Sequence, residues 1–197
     1  PKHVYVVAAD GTGAPRNLTP GEFQHEGASW LRDSSGVVTS AQRHDTWDRD
    51  LTQDLYIVPL DGEIRSLTHQ SGMYFQPSVS PDGAHVAFLG VDDALVYPQN
   101  AKVGVIALDG GDHRWLSLGL DRTFYPTALV RPPVWIDATR LVANVEDRGE
   151  THLVELSVDA VPPTRLTDGP LTVLDFDAAG GTIATARSTA TRPAELW

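Results

Sequence analysis

The sequence contains no cysteine, so it has no disulfide, no thiolate nucleophile and no cysteine-ligated metal. The lack of disulfides suits a cytoplasmic protein. No apolar run reaches the ~18 residues of a membrane-spanning helix, and no signal peptide is visible, so no membrane partner is expected. Positive charge is scarce: 15 basic residues stand against 26 acidic ones, for a net charge of −11. A nucleic-acid partner would need a basic stripe, so none is expected. The seven histidines never fall at H-x-H or H-x-x-x-H spacing, which argues against zinc. Neither a metal nor another cofactor is expected.

What is present is a repeat. The phrase VYVVAADGTGAPRNLT begins at Val4 and returns as LYIVPLDGEIRSLT at Leu55, VGVIALDGGDHRWLS at Val103 and LVELSVDAVPPTRLT at Leu153. A fifth copy opens at Leu196. A period of roughly 40–50 residues marks stacked supersecondary units. A second phrase lies between the copies: an apolar residue, a tight Asp/Gly/Ser turn, then an alternating apolar run. It starts at Trp30, Val79, Trp135 and Phe176. Each phrase is a two-strand hairpin, and together they make one four-stranded blade, A to D from the centre outward. The expected fold is therefore all-β: a β-propeller of four-stranded antiparallel blades, with about four blades and about seventeen strands present. Its boundaries are a half blade at 1–19, complete blades at 28–68, 77–117 and 133–167, and a partial blade at 173–197. Because Trp197 falls inside a strand motif, a fragment of a larger propeller is expected. Trp30, Trp135 and Phe176, at equivalent inner-strand positions, should be buried between blades.

In an antiparallel meander the B–C and D–A turns share one face. The long connections 41–54, 91–101 and 117–132 all fall on it. Loop elaboration on one end of a rigid scaffold marks the functional face. The densest polar stretch there is His44-Asp45-Thr46-Trp47-Asp48-Arg49-Asp50. Asp45, Asp48, Asp50 and Asp54 carry oxygen ligands for Ca²⁺, but their spacing departs from the EF-hand loop and no glycine supplies its turn. A solvated acidic loop is the plainer reading, and the same carboxylates suit a peptide ammonium group. Phe124-Tyr125-Pro126 offers aromatics beside proline, either to anchor a partner or to lid the blade edge. Contact candidates are thus Arg43, His44, Trp47, Asp48, Phe124 and Tyr125. Asn17-Leu18-Thr19 matches a glycosylation acceptor but is also the repeat's own x-L-T strand, which is the reading adopted. His113-Arg114-Trp115 opens an outermost strand. The glycine pairs at 110–111 and 180–181 are turns, since no helix follows them.

The repeat, seen in VSPDGAHVAFLG and DLYIVPLDGEIRSLT, resembles the TolB-like propeller repeat. The longer blades and the aspartate-rich insertion before Asp54-Leu55-Tyr56 resemble the N-terminal propeller of the prolyl oligopeptidase family, in its acylaminoacyl-peptidase and dipeptidyl-peptidase branch. That resemblance implies a C-terminal α/β-hydrolase domain with a Ser-Asp-His triad, outside this chain. It implies a propeller that admits short peptides and excludes folded proteins, in some members binding the peptide's amino terminus. The nucleophile elbow G-x-S-x-G does not occur here. Gly27-Ala28-Ser29-Trp30-Leu31 lacks the last glycine, so no triad residue carries over and the chain alone is expected to be inactive. The alternative is a stand-alone TolB-like propeller that binds a protein partner. A propeller enzyme with a central metal is the weakest reading, because strand A offers Asp175 in one blade only. Unpaired blade edges at the two ends make an open arc, or a homodimer, more favourable than a strained four-blade ring.

Overall fold

A computed structural model describes residues 1–69, 72–96, 98–126, 130–159 and 161–197. Among them are seventeen strands and no helix. A short hairpin, β1 (Tyr5–Val6) and β2 (Arg16–Asn17), comes first. A four-stranded antiparallel sheet follows, from β3 (His25–Trp30), β4 (Gly36–Ala41), β5 (Asp54–Pro59) and β6 (Arg65–Ser66). The next has the same order: β7 (Met73–Val79), β8 (His85–Val91), β9 (Lys102–Ala107) and β10 (Arg114–Trp115). A third holds β11 (Val134–Trp135), β12 (Arg140–Asp147), β13 (Glu150–Ser157) and β14 (Thr164–Arg165). One parallel pair, Thr151 with Thr172, joins it to β15 (Thr172–Ala179), β16 (Thr182–Thr189) and β17 (Arg192–Leu196). The β1–β2 hairpin pairs with no other strand among the described residues, so the blades form an open arc.

The repeated letters have local causes. In each copy, the leucine of x-L-T donates its N–H to the carbonyl of the residue that opens the repeated phrase. That residue's own N–H is received by the hydroxyl that follows the leucine. The pairs are Val4 with Thr19 (2.9 Å), Leu55 with Thr68 (2.9 Å), Val103 with Ser117 (3.0 Å) and Leu153 with Thr167 (3.0 Å). All four hydroxyl residues are buried, so each satisfies an amide that would otherwise be stranded. Thr19 is among them, which suits the strand reading of Asn17-Leu18-Thr19. The A–B turns are closed by aspartate side chains that accept backbone N–H groups two residues on: Asp33 from Ser35, Asp82 from Ala84 and Asp137 from Thr139.

The core lies between blades. Along β8, Val86 and Phe88 pack towards the preceding sheet, while Ala87 and Leu89 pack towards the following one. Both faces of the strand are therefore buried, and its sequence reads as a continuous apolar run. Gly104 on β9 makes room for Phe88: a Cβ there would sit 2.5 Å from the Phe88 ring. Trp135 is buried against β7, where its indole N–H donates to the Ser78 carbonyl at 2.9 Å. Phe176 is buried against Val142 and Leu153. Trp30, expected to match them, is 53% exposed. Among the described residues the sheet that precedes it is the β1–β2 hairpin, with no inner strand for an indole to cover.

Candidate functional site

The connection 42–53 is folded around Asp50. Its carboxylate lies 3.0 Å from His44 Nε2 and accepts from the Thr46 hydroxyl (2.5 Å) and the Thr52 N–H (2.9 Å). These donors, the Thr46 hydroxyl foremost, hold the Asp50 carboxyl down at about 2. Asp54 is buried and accepts from the Thr68 hydroxyl at 2.6 Å. Asp48 is exposed and lies 3.6 Å from Arg49 Nε. The acidic residues thus point to different neighbours, and no three metal-ligating side chains converge among the described residues.

Arg43 and Trp47 belong to one cluster around Phe23, while His44 is held by Asp50. The Arg43 guanidinium stacks over Phe23 (4.9 Å) and Tyr56 (5.9 Å), and it donates to His25 Nε2 at 3.2 Å. Trp47 meets Phe23 edge-on at 6.4 Å. Burial and the neighbouring Arg43 and His3 charges push His25 down to about 4, so its ring is neutral and can accept from arginine.

The second connection, 91–101, is pinned by Asp92, which accepts from Trp115 Nε1 at 2.6 Å and lies 2.9 Å from His113 Nε2. That accounts for two members of the His113-Arg114-Trp115 triplet. Asn100 then donates to Asp121 at 2.9 Å, tying this connection to the third. In the third, Phe124 donates its N–H to the Ala101 carbonyl, and its ring is fully buried in the core between the second and third four-stranded sheets. Of the two readings of Phe124, a partner anchor or a lid on the blade edge, its place suits the lid: the ring fills a gap between blades. Tyr125 turns the other way. It is 49% exposed and stands edge-on to Phe75 at 5.2 Å. Residue 97 of the second connection and residues 127–129 of the third lie outside the described residues.

All three connections border one cavity of about 430 Å³. Leu51, Met73, Phe75, Val96 and Tyr125 supply its apolar surface. Carboxamides supply much of its polarity, from Gln53, Gln76, Gln99 and Asn100. The size and composition suit a small ligand held by apolar contacts and a few oriented polar groups. Of the six contact candidates read from the sequence, Tyr125 alone lines this cavity. Arg43 and Trp47 sit in the cluster around Phe23, His44 is bonded to Asp50, Asp48 faces solvent and Phe124 is core. Phe75 and Gln76 were missed, although Pro77 inside an apolar strand pattern signalled a bulge beside them.

Open arcs of four-stranded antiparallel blades, with long connections gathered on one face, define a β-propeller. A puromycin-hydrolyzing peptidase of Mycobacterium tuberculosis superposes with a TM-score of 0.74 at 16% identity, over 100% of this chain and 35% of the peptidase. An acylaminoacyl peptidase of Pyrococcus horikoshii gives 0.69 at 17% identity, over 98% and 28%. TolB of Acinetobacter baumannii gives 0.64 at 14% identity, over 98% and 47%. At these identities the likeness establishes the fold, and the chain spans about a third of the two peptidases. No family model matches the sequence, and no curated relative was found. No helix among the described residues is long and apolar enough to cross a membrane.

Proposed function

We propose that this chain is the non-catalytic propeller of a cytoplasmic prolyl oligopeptidase-family serine peptidase, and that it filters peptides on their way to an α/β-hydrolase domain carried elsewhere in a longer protein. The observation that carries this reading is the convergence of all three long connections on one cavity with apolar walls and a carboxamide rim. Main-chain amides of an extended peptide match carboxamides, which both donate and accept. The apolar wall suits one of the peptide's side chains. The peptidase neighbours support the reading at the level of fold, and the net charge of −11 favours peptides over nucleic acid. The test is kinetic. In the full-length protein, Tyr125→Ala should lower kcat/KM for peptides several-fold and leave a small ester unchanged, because only the peptide reaches the propeller. Equal effects on both substrates would sink the filter.

A second reading is a stand-alone binding propeller, favoured by the likeness to TolB over 98% of this chain. A G-x-S-x-G elbow downstream in the same reading frame would decide for the peptidase.

A further inference from the structure

Three non-glycine residues have positive φ among the described residues: Ser34, Gln76 and Arg148. Ser34 and Arg148 sit in tight turns between paired strands, where such angles are routine. Gln76 is different, because it lies inside strand β7 at φ 54°. A register shift between Phe75 and Ser78 marks the spot as a β-bulge. The preceding blade has the same bulge between Glu26 and Ser29, and there the matching position is Gly27, at φ 64°. Glycine is the residue this backbone favours. Gly27 also faces Pro77 across the blade interface, and a Cβ on it would lie 3.3 Å from Pro77 Cδ. The proline after Gln76 narrows that residue's options further. A strained, non-glycine residue at a site that favours glycine calls for a compensating role.

The side chain suggests which. The other three carboxamides on the cavity wall are engaged: Gln53 donates to the Ser40 hydroxyl, Gln99 to the Asp93 and Val96 carbonyls, and Asn100 to Asp121. Gln76 has no side-chain hydrogen bond among the described residues, and it lies half-buried on the same cavity wall as Phe75 and Gly27. From its backbone strain, its unused carboxamide and its place in the cavity we infer that Gln76 is the residue that reads the ligand, pairing its carboxamide with one main-chain amide of a bound peptide. The carboxamide gives one acceptor and two donors, and a peptide group offers the reciprocal pair. Phe75, Leu51 and Tyr125 beside it then receive the adjoining apolar side chain. This inference rests on the cavity being the peptide site proposed above.

The test separates the two claims. The purified protein is titrated with an N-acetylated, C-amidated tetrapeptide carrying a central leucine, and thermal unfolding is followed in parallel. Gln76→Gly should bind about tenfold more weakly, the loss of one or two hydrogen bonds, while its melting midpoint stays level or rises. Gln76→Ala should lose the same affinity without the gain in stability. Unchanged binding in Gln76→Gly, with weakened binding in Tyr125→Ala, would overturn the role of Gln76 and leave the cavity reading standing. Failure of the unaltered protein to bind, or indifference to Tyr125→Ala, would overturn both. A lowered melting midpoint in Gln76→Gly would make the side chain a structural brace and equally reject the assignment.

Discussion

The Arg114 guanidinium donates to the carbonyl of Val158 at 2.9 Å, stitching the outermost strand of one blade to the next. Arg16 does the same to Leu60 (2.6 Å), and Arg65 to Leu108 (3.3 Å). Each acceptor stands just before the next blade's C–D turn. The arginine of R-x-L-T is therefore a clamp between blades, as its threonine or serine is a clamp within one. The fourth copy has Thr164 at that position, and its neighbour Arg165 turns back to the Thr167 carbonyl and Asp147.

Replacing Arg114 with methionine keeps much of the stem's packing and deletes the clamp. One hydrogen bond from a charged donor near solvent is worth about 1 kcal/mol, so urea unfolding of Arg114→Met should show a loss of that order. The denaturant slope should be unchanged, since the same surface is buried. No measurable loss would mean that water replaces the guanidinium at Val158 without penalty.

Thr68→Val tests the inner clamp. The change is nearly isosteric, but it removes the hydroxyl that receives the Leu55 N–H and donates to buried Asp54. Leaving a buried amide unpaired costs about 1–3 kcal/mol, so Thr68→Val should be destabilised by roughly 2 kcal/mol in chemical denaturation. Thr68→Ser, which keeps the hydroxyl, should recover most of that. If serine and valine behave alike, the methyl group and not the hydrogen bond is what the site needs.

The blades were legible because both their letters and their causes are local. An Asp-turn, an alternating strand and a hydroxyl that caps its own hairpin lie within about fifteen residues of one another. The roles of Arg16, Arg65 and Arg114 were not legible, although their spacing was. Their partners lie 43 or 44 residues away, on a neighbour that only the assembled arc brings near. Trp30 was misjudged for the same reason: a repeat gives a residue's position but not whether anything stands opposite it. Phe124 beside Pro126 read as either a partner anchor or a lid on the blade edge, because nothing in its own loop reveals the gap between blades that it fills. The site was half legible. Loop lengths pointed to the face on which the cavity lies, and Tyr125 lines it, but the cavity wall also needs β7, whose bulge re-aims Gln76.

Acid stability should fall in two stages with separable causes. His25 is buried and neutral, and its folded pKa of about 4 lies below the 6.5 of an unfolded histidine. A proton therefore binds the unfolded chain more readily. Stability is fully present above pH 6.5 and drains away as pH falls towards 4, where the loss levels off. A shift of that size corresponds to about 3 kcal/mol at most. The second stage belongs to Asp50 and Asp137, whose carboxyls are held at about 2 against 3.8. Hydrogen bonds from Thr46 and from the Thr139 N–H are the largest causes. Their contribution is present above pH 3.8 and is lost as pH falls through 2. Replacing His25 with glutamine, which keeps an acceptor for Arg43 but cannot titrate, should flatten the stability curve between pH 6.5 and 4 and leave the lower stage intact. Urea unfolding midpoints at half-unit steps from pH 7 to pH 2 check this directly. An unaltered slope above pH 4 in His25→Gln would shift the first stage to another group and remove the case for a neutral, arginine-bound His25.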